Sequence, residues 1–351
     1  MPSENVAPTF AVISGAEVHS ALQDDTGSVV DLIAHAYRLH GQGDTVNPPS
    51  YFLRFPDRPR SRIIALPASV GGDAAVDGIK WISSFPDNIH SGLPRASAVL
   101  VLNNPRTGYP YACLESSIIS AARTAASAAL AADWLTRDRA RPRRLGFVGA
   151  GLIARYVLNH LVGTGWTFES TTVHDLSAEQ ADSFAGYCGR FEAAGSVTTG
   201  RAEELIRSCD LVVFATVAAV PHVTEPGWFD HNPVVLHLSL RDLAPEVLLR
   251  SVNVVDDVEH CLKADTSPHL AEQLTGGRDF LDGTLYDVMQ GRLRPALDRP
   301  VIFSPFGLGV LDLVLGRWVY ERIASAGGLR TIDDFFFDLR RHADPASHGA
   351  R

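Results

Sequence analysis

The chain has 351 residues, of which 46% are hydrophobic and 20% charged, and its formal net charge is −9. This length and apolar content suffice for about two domains with cores of their own. The charges are spread along the chain with an acidic excess, which argues against a nucleic-acid or membrane-surface protein, and no apolar run approaches the roughly 18 residues of a membrane span.

In chain order, the first part of the sequence predicts one helix followed by several strands. Apolar residues recur at helical spacing over residues 15–40. Five segments then read as strands, at residues 51–55, 62–66, 78–83, 98–102 and 109–114. A long alanine-rich helix over residues 116–135 follows. These elements predict a sheet-rich α+β first domain.

Residues 143–154 carry the phosphate-binding pattern of a dinucleotide fold, G-x-G-x-x-A, between a short apolar strand and a helix. The first glycine permits the tight turn, the second lets the backbone approach a pyrophosphate, and the small Ala154 lets the helix pack closely on the strand. The helix N-terminus presents free N–H groups to the phosphates. The residues expected to face the cofactor here are Gly149, Gly151, Leu152 and Ile153.

Asp175 ends the next predicted strand, residues 170–174, and lies 21 residues after Ala154. This spacing is close to the roughly 20 residues expected before the acid that binds the adenosine ribose hydroxyls. No Arg or Lys occurs in residues 176–180 to receive a 2′-phosphate, so the sequence predicts NAD rather than NADP. The alternative is an ordinary α/β turn followed by a chance acid.

Strands and helices continue to alternate beyond Asp175. Residues 211–216 are nearly all apolar, which is typical of a parallel strand buried on both faces. Further elements are strands at 197–199, 233–239 and 252–256, a helix at 202–208 and a last long helix at 307–324. The alternation predicts an α/β fold with a Rossmann NAD-binding domain. The charged tail after Asp338 is expected to fray.

Three cations interrupt apolar segments of the chain: Arg54, Lys80 and Arg123. A buried cation is costly unless it is paired. One interpretation is that each cation forms a salt bridge or reaches the surface. The other is that the three together form an anion-binding cleft. Three such cations in one domain, facing a dinucleotide fold, favour the cleft.

Several short motifs, in this order and spacing, resemble the ornithine cyclodeaminase/mu-crystallin family. They are Gly78-Ile79-Lys80, Pro86-Asp87-Asn88, Gly92-Leu93-Pro94, Thr107-Gly108-Tyr109-Pro110 and Arg123-Thr124-Ala125-Ala126. The resemblance implies a homodimer of two-domain subunits. Residues 1–120, with about 308–351, would form the substrate-binding and dimerisation domain, and residues 121–307 would bind NAD. It also implies that the three cations hold the substrate's carboxylate. We further assign Lys80 a catalytic role and Thr124, Thr216 and Ser239 to cofactor binding.

By the same resemblance, Asp242 takes the position of the family's catalytic acid. It follows a predicted parallel strand, and open α/β sheets bind ligands at the carboxyl ends of their strands. A carboxylate there can activate water against an imine carbon or move the amine proton. The alternative role is to cap a helix that begins at Pro245, and the two roles are compatible.

The chain departs from the family pattern at three positions. Arg241 replaces a small residue before the acid, Arg95 replaces a threonine after the Gly-Leu pair, and Glu246 replaces a lysine. The added cations imply a substrate with more carboxylates than ornithine has. The lost lysine removes one reason to expect tightly retained NAD.

With these departures, the chain resembles one dehydrogenase branch of the family. The resemblance lies in three segments, residues 54–57, 92–97 and 239–246. The substrate of that branch joins glutamate to 2,3-diaminopropionate through a secondary amine and carries three carboxylates. The implied reaction is oxidation by NAD and hydrolysis to 2-oxoglutarate and L-2,3-diaminopropionate, in siderophore or peptide-antibiotic biosynthesis.

Other readings stay open. They are a cyclodeaminase that uses NAD catalytically and releases ammonia, a ketimine reductase, and a non-catalytic binding protein like mu-crystallin. Four cysteines without C-x-x-C spacing predict reduced thiols and no metal site. We expect a soluble cytoplasmic enzyme with a small-molecule substrate.

Overall fold

The computed structural model describes residues 8–23 and 25–337, and the tail expected to fray lies outside them. Within these residues the chain divides into two compact units. The first comprises residues 8–21, 45–119 and 312–337, and the second comprises residues 22–23, 25–44 and 120–311.

The first unit contains a seven-stranded sheet with the strand order β1-β7-β6-β5-β4-β2, in which β3 also pairs with β4. Its strands are β1 Ala11–Ile13, β2 Thr45–Val46, β3 Tyr51–Phe55, β4 Arg58–Val70, β5 Val76–Ser84, β6 Ala96–Asn103 and β7 Pro110–Glu115. All pairs are antiparallel except β1 with β7. The predicted strands are therefore confirmed, although β4 is much longer than expected.

The helices of the two units are α1 Gly15–Leu22, α2 Thr26–Gln42, α3 Ser117–Leu135, α4 Leu152–Gly163, α5 Ala178–Cys188, α6 Ala202–Ser208, α7 Pro245–Leu248, α8 Val258–Cys261, α9 Ser267–Thr275, α10 Leu285–Met289 and α11 Gly309–Ser325. Within the described residues, none of these helices is long and apolar enough to cross a membrane. All four cysteines are free thiols, and three of them are buried.

The two faces of the first sheet differ in burial. Leu66, Lys80 and Leu100 are paired across β4, β5 and β6, and all three are buried. A Cβ on Gly316 of α11 would lie 2.1 Å from the Leu100 side chain, so α11 packs tightly on this face. On the opposite face, large apolar side chains remain exposed in the single chain.

The second unit contains an eight-stranded parallel sheet with the order β10-β9-β8-β11-β12-β15-β13-β14. Its strands are β8 Arg144–Val148, β9 Ser170–His174, β10 Ser196–Thr199, β11 Leu211–Phe214, β12 Val234–His237, β13 Val252–Val255, β14 Leu281–Thr284 and β15 Val301–Ser304. From β8 the chain adds β9 and β10 on one side and then β11 and β12 on the other, so the strand order reverses between β8 and β11. In open α/β sheets this reversal opens a crevice at the carboxyl ends of the strands. The predicted Rossmann fold is confirmed.

The helix predicted over residues 15–40 is in fact two helices, α1 and α2. The helical spacing of apolar residues continued across a polar interruption, which hid the break. The start of α2 packs in the second unit, because a Cβ on Gly163 would lie 2.1 Å from the Thr26 hydroxyl oxygen. Further along α2, Tyr37 Oη lies 3.2 Å from Ser127 Oγ of α3. Residues 25–44 therefore belong to the second unit, although the sequence assigned them to the first domain.

Candidate active site

The glycine turn after β8 has the geometry that its pattern predicts. Gly149 has φ +100°, and a Cβ there would lie 2.6 Å from the carbonyl oxygen of Ala215. Only glycine fits this position without strain. A Cβ on Gly151 would meet no described atom within 4 Å, so the space beside its backbone is open. Leu152 and Ile153 form the first turn of α4, whose free N–H groups suit an anion.

Asp175 lies directly after β9, beside this turn. Its carboxylate accepts hydrogen bonds from the backbone N–H groups of Ala150 and Ser177, both at 2.9 Å. It also borders a cavity of about 530 Å³ together with the glycine turn and residues 215–218. The residues that line this cavity include no Arg or Lys in the part of the chain that the structure describes. The cavity, the turn and Asp175 fit NAD and offer no partner for a 2′-phosphate.

Asp242 lies on the loop after β12 and its side chain is fully buried. One carboxylate oxygen, Oδ1, accepts hydrogen bonds from His222 Nε2 at 3.0 Å and from the Thr216 hydroxyl. The other, Oδ2, accepts one from the Ser239 hydroxyl. Both hydroxyls thus hold the Asp242 carboxylate, and the contact of Thr216 and Ser239 with the cofactor stays a prediction.

His237, the last residue of β12, supports the same loop from below. Its Nε2 accepts the backbone N–H of Asp242 at 3.1 Å, and its Nδ1 lies 3.1 Å from Ser304 Oγ. The same Nε2 lies 3.4 Å from Asp242 Oδ2, so the imidazole also borders the carboxylate. Leu240, within the loop, has φ +75°, a strained conformation for a residue with a side chain. The loop is thus held in one conformation by its buried contacts.

Electrostatics keep the Asp242 carboxylate charged. Burial alone would raise the pKa of Asp242, but the hydrogen bonds from His222 and Ser239 and the adjacent His237 bring it well below its usual range. The alternative role as a helix cap is wrong, since Ala244 occupies the N-cap position of α7 and no side chain caps that helix.

Two of the predicted cations, Arg123 and Arg241, lie in the second unit, and the guanidinium group of each lies beside the backbone of a loop residue. Gly307 has φ +95°, and a Cβ there would lie 2.5 Å from Arg123 Nη1, so this glycine leaves room for the guanidinium. Arg241 donates from Nη2 to the carbonyl oxygen of Ala264 at 2.9 Å, while its buried Nε has no partner among the described residues. Thr124, predicted to bind the cofactor, donates its hydroxyl to a carbonyl within α3 at 2.7 Å.

The first unit holds the remaining predicted cations. Lys80 is buried and its Nζ lies 2.6 Å from Asp312 Oδ2. Arg54 is exposed, with its guanidinium 5.1 Å from the centre of the Phe52 ring. Arg95 is half-buried and donates from Nη1 to Ser84 Oγ at 2.7 Å. Burial lowers the pKa of Arg95, and no carboxylate of the described residues pairs with it.

Arg62 is a fourth cation of this group that sequence reasoning missed. It pairs across the sheet with Arg54 on one side and with Ser84 on the other. Directly paired residues of antiparallel strands project to the same face. Arg54, Arg62 and Arg95 are therefore grouped around Ser84, on the face that also carries Lys80. Sequence reasoning also missed His222, His237 and Asp312, and no local motif marks them.

The chain matches the family model described as "Ornithine cyclodeaminase/mu-crystallin family" over residues 11–327. The chain belongs to the ornithine cyclodeaminase/mu-crystallin family. Among curated proteins, it is 29% identical to an N-((2S)-2-amino-2-carboxyethyl)-L-glutamate dehydrogenase of Staphylococcus aureus, over 84% of this chain and 89% of the relative. It is 27% identical to an alanine dehydrogenase of Archaeoglobus fulgidus, over 90% and 95% of the two chains.

Solved structures share the fold of this chain. An archaeal alanine dehydrogenase dimer with bound NAD superposes with a TM-score of 0.83 at 27% identity, over 93% of this chain and all of the other. A Δ1-pyrroline-2-carboxylate reductase of Thermococcus litoralis, solved with NADH and L-proline, superposes with a TM-score of 0.84 at 23% identity, over 92% and 100%. The second likeness establishes the fold.

Proposed function

We propose that this family member is an NAD-dependent dehydrogenase that oxidises and hydrolyses N-(2-amino-2-carboxyethyl)-L-glutamate. The products would be 2-oxoglutarate, L-2,3-diaminopropionate and NADH. The observation that carries this proposal is the group formed by Arg54, Arg62 and Arg95. It places three guanidinium groups on one face of the first sheet, and Arg95 has only a hydroxyl partner there.

Three guanidinium groups suit a substrate with several carboxylates. Arg can bind a carboxylate through two parallel N–H groups, and a hydrogen bond to a charged group contributes about 1.5–3 kcal/mol. A half-buried Arg without an acidic partner is poorly solvated until an anion reaches it. We propose that Arg95 and Arg241 bind the additional carboxylates, and that Arg54, Lys80 and Arg123 hold the carboxylate nearest the reacting carbon.

Lys80 differs from the arginines in this scheme because it is already paired. Asp312 holds the Lys80 ammonium in place and stabilises its charge in a buried position. A substrate carboxylate would share this ammonium with Asp312, which orients it without leaving a buried cation alone before substrate binds. We propose that Lys80 also contributes to catalysis.

The chemistry then divides between cofactor and protein. NAD, held against the glycine turn and Asp175, would accept a hydride from the glutamyl α-carbon. The secondary amine loses its proton and leaves an imine, which water attacks to release the two products. The chain's own residues must therefore orient the carboxylates and move a proton at the attacking water, the task we assign to the site around Asp242.

The second candidate is a cyclodeaminase, which consumes no net NAD and releases ammonia. The cavity at the glycine turn fits that reaction equally well. The grouped arginines favour the dehydrogenase, because ornithine has a single carboxylate. A ketimine reductase would run in the opposite redox direction, and a mu-crystallin-like binding protein would need neither Asp242 nor the grouped arginines.

We also propose that two copies associate through the free face of the first sheet. Tyr51, Trp81 and Val99 lie in one row across β3 to β6 and are 73%, 43% and 41% exposed. A row of this kind is typical of a protein–protein interface. A second copy is the occupant we favour, since a 27%-identical relative was solved as a dimer.

The deciding experiment incubates the protein with NAD and the conjugate, follows NADH by absorbance and identifies products by mass. We expect NADH, 2-oxoglutarate and diaminopropionate in equal amounts. Ornithine and glutamate serve as controls. Conversion of ornithine to proline and ammonia without net NADH would instead establish the cyclodeaminase.

A further inference from the structure

Asp242 is poorly placed to exchange a proton with a substrate. Its side chain is fully buried, and it is not among the residues that line the cavity beside the glycine turn. Both carboxylate oxygens already accept hydrogen bonds from the protein. A general base must reach the proton that it removes, directly or through one water. The depressed pKa of Asp242 also makes its carboxylate a weak base.

His222 has the access that Asp242 lacks. Its side chain is 44% exposed and borders the same cavity as Gly149, Asp175 and Thr216. Its Nε2 is bonded to Asp242 Oδ1, and a charged carboxylate can only accept, so Nε2 carries a proton. The other ring nitrogen, Nδ1, has no hydrogen-bond partner among the described residues. This leaves one basic nitrogen of a half-exposed imidazole at the cavity.

We propose that His222 is the catalytic residue that takes and returns the proton, and that Asp242 orients its ring and stabilises the imidazolium. The proposal rests on the dehydrogenase function proposed above and assigns that reaction's proton transfer to a different residue. The arrangement follows the division of labour in Asp–His pairs, in which the buried carboxylate fixes the tautomer and the imidazole does the transfer. Histidine suits the task because its charge changes near neutral pH.

Hydrolysis of the imine needs two proton transfers at nitrogen. Water forms a C–O bond to the imine carbon and loses a proton to His222 Nδ1, while the C=N electron pair moves to nitrogen, which takes a proton from solvent. His222 then gives its proton to the same nitrogen, the C–N bond breaks with its electron pair on the leaving amine, and the hydroxyl proton returns to solvent as the carbonyl of 2-oxoglutarate forms. The oxidation is complete before this step, since NAD has already taken the hydride.

Replacing the imidazole tests the proposal. We expect His222→Gln and His222→Ala to lower kcat by about 10²- to 10⁴-fold, the usual contribution of a general acid–base group. NAD binding should change by no more than about threefold, because no step of cofactor recognition is assigned to His222. Added imidazole should restore part of the activity of His222→Ala but not that of Asp242→Asn. The matched control is His19→Gln, on an exposed part of α1, which should leave kcat unchanged.

Two outcomes would overturn the proposal: a His222→Gln enzyme that keeps more than about a third of kcat, or a His222→Ala enzyme that imidazole does not rescue. The variants are assayed with whichever amino acid the unaltered protein oxidises. If that amino acid is not the conjugate, the proposed function is wrong, but the role of His222 can still be tested. A substrate-independent measurement completes the test. By NMR, the ring-nitrogen chemical shifts of His222 should change in Asp242→Asn, and unchanged shifts would contradict the pairing.

Discussion

Lys80 and Asp312 form a buried ion pair in the first unit, with Nζ 2.6 Å from Oδ2 and side chains 2% and 0% exposed. Lys80 lies on β5 and Asp312 on α11, so the pair joins the sheet to the helix that covers it. Removing one partner of a buried pair leaves an uncompensated charge, which costs about 3–5 kcal/mol. The pair therefore contributes to folding as well as to the proposed substrate site.

We expect Asp312→Asn and Lys80→Met each to reduce the free energy of unfolding by about 3–5 kcal/mol. The double variant Lys80→Met/Asp312→Leu should recover much of this loss, because it buries no charge. Denaturant unfolding measures all three. The double variant should nevertheless stay inactive. Recovered stability without activity would separate the contribution of Lys80 to the reaction from its contribution to folding. A fully active double variant would exclude Lys80 from the reaction.

Asp175 is predicted to select NAD. Replacing it with Ser removes the carboxylate that is predicted to bind the ribose hydroxyls and that accepts the Ala150 N–H. NAD binding should therefore weaken, and the preference for NAD over NADP should decrease. Titration of both cofactors by fluorescence quenching measures the two effects. Equal use of NADP and NAD by the unaltered protein would show that Asp175 does not discriminate.

Asp242→Asn should leave folding and NAD binding nearly unchanged and lower turnover by roughly 10²-fold or more. The amide keeps most of the local hydrogen bonds but cannot stabilise a positive charge on His222. Steady-state kinetics and thermal unfolding of the same preparation distinguish the two effects. Turnover near that of the unaltered enzyme would reduce Asp242 to a structural role.

Arg95→Ala and Arg241→Ala should each lower kcat/KM for the conjugate by about one to two orders of magnitude, since each 1.36 kcal/mol is tenfold. Arg95→Lys should restore little, because an ammonium lacks the planar fork of the guanidinium. Arg201→Ala, an exposed arginine ahead of α6, is the matched control. Full activity of both alanine variants on the conjugate would contradict the assignment of these residues to its carboxylates.

Trp81→Glu should convert the proposed homodimer to monomers. The substitution places a charge in the middle of the apolar row between Tyr51 and Val99, where a second copy would desolvate it. Sedimentation velocity measures the change. Leu249→Glu, at a residue 41% exposed in the second unit, serves as the control. If the unaltered protein sediments as a monomer, the free sheet face has another purpose.

Local elements were largely predictable from the sequence. The strand over residues 170–174 and the helix over residues 202–208 have the predicted bounds in the structure. Strands predicted to end at residues 216, 239 and 256 in fact end two, two and one residues earlier. The residues beyond those ends leave the sheet and form the loops at its carboxyl edge, and apolar patterning alone does not mark that departure.

The sequence by itself determined the dinucleotide fold, the glycine turn and the position of Asp175, because these depend on spacing within one strand–helix–strand unit, whereas Asp242 was assigned from the family resemblance. Only the tertiary structure decided which side chains meet. Asp312 is 232 residues from Lys80, and His222 reaches Asp242 from the loop after a neighbouring strand. Arg62 joins Arg54 only through the register of β3 with β4. Such contacts depend on strand order and register, which long-range packing sets and a local pattern does not encode.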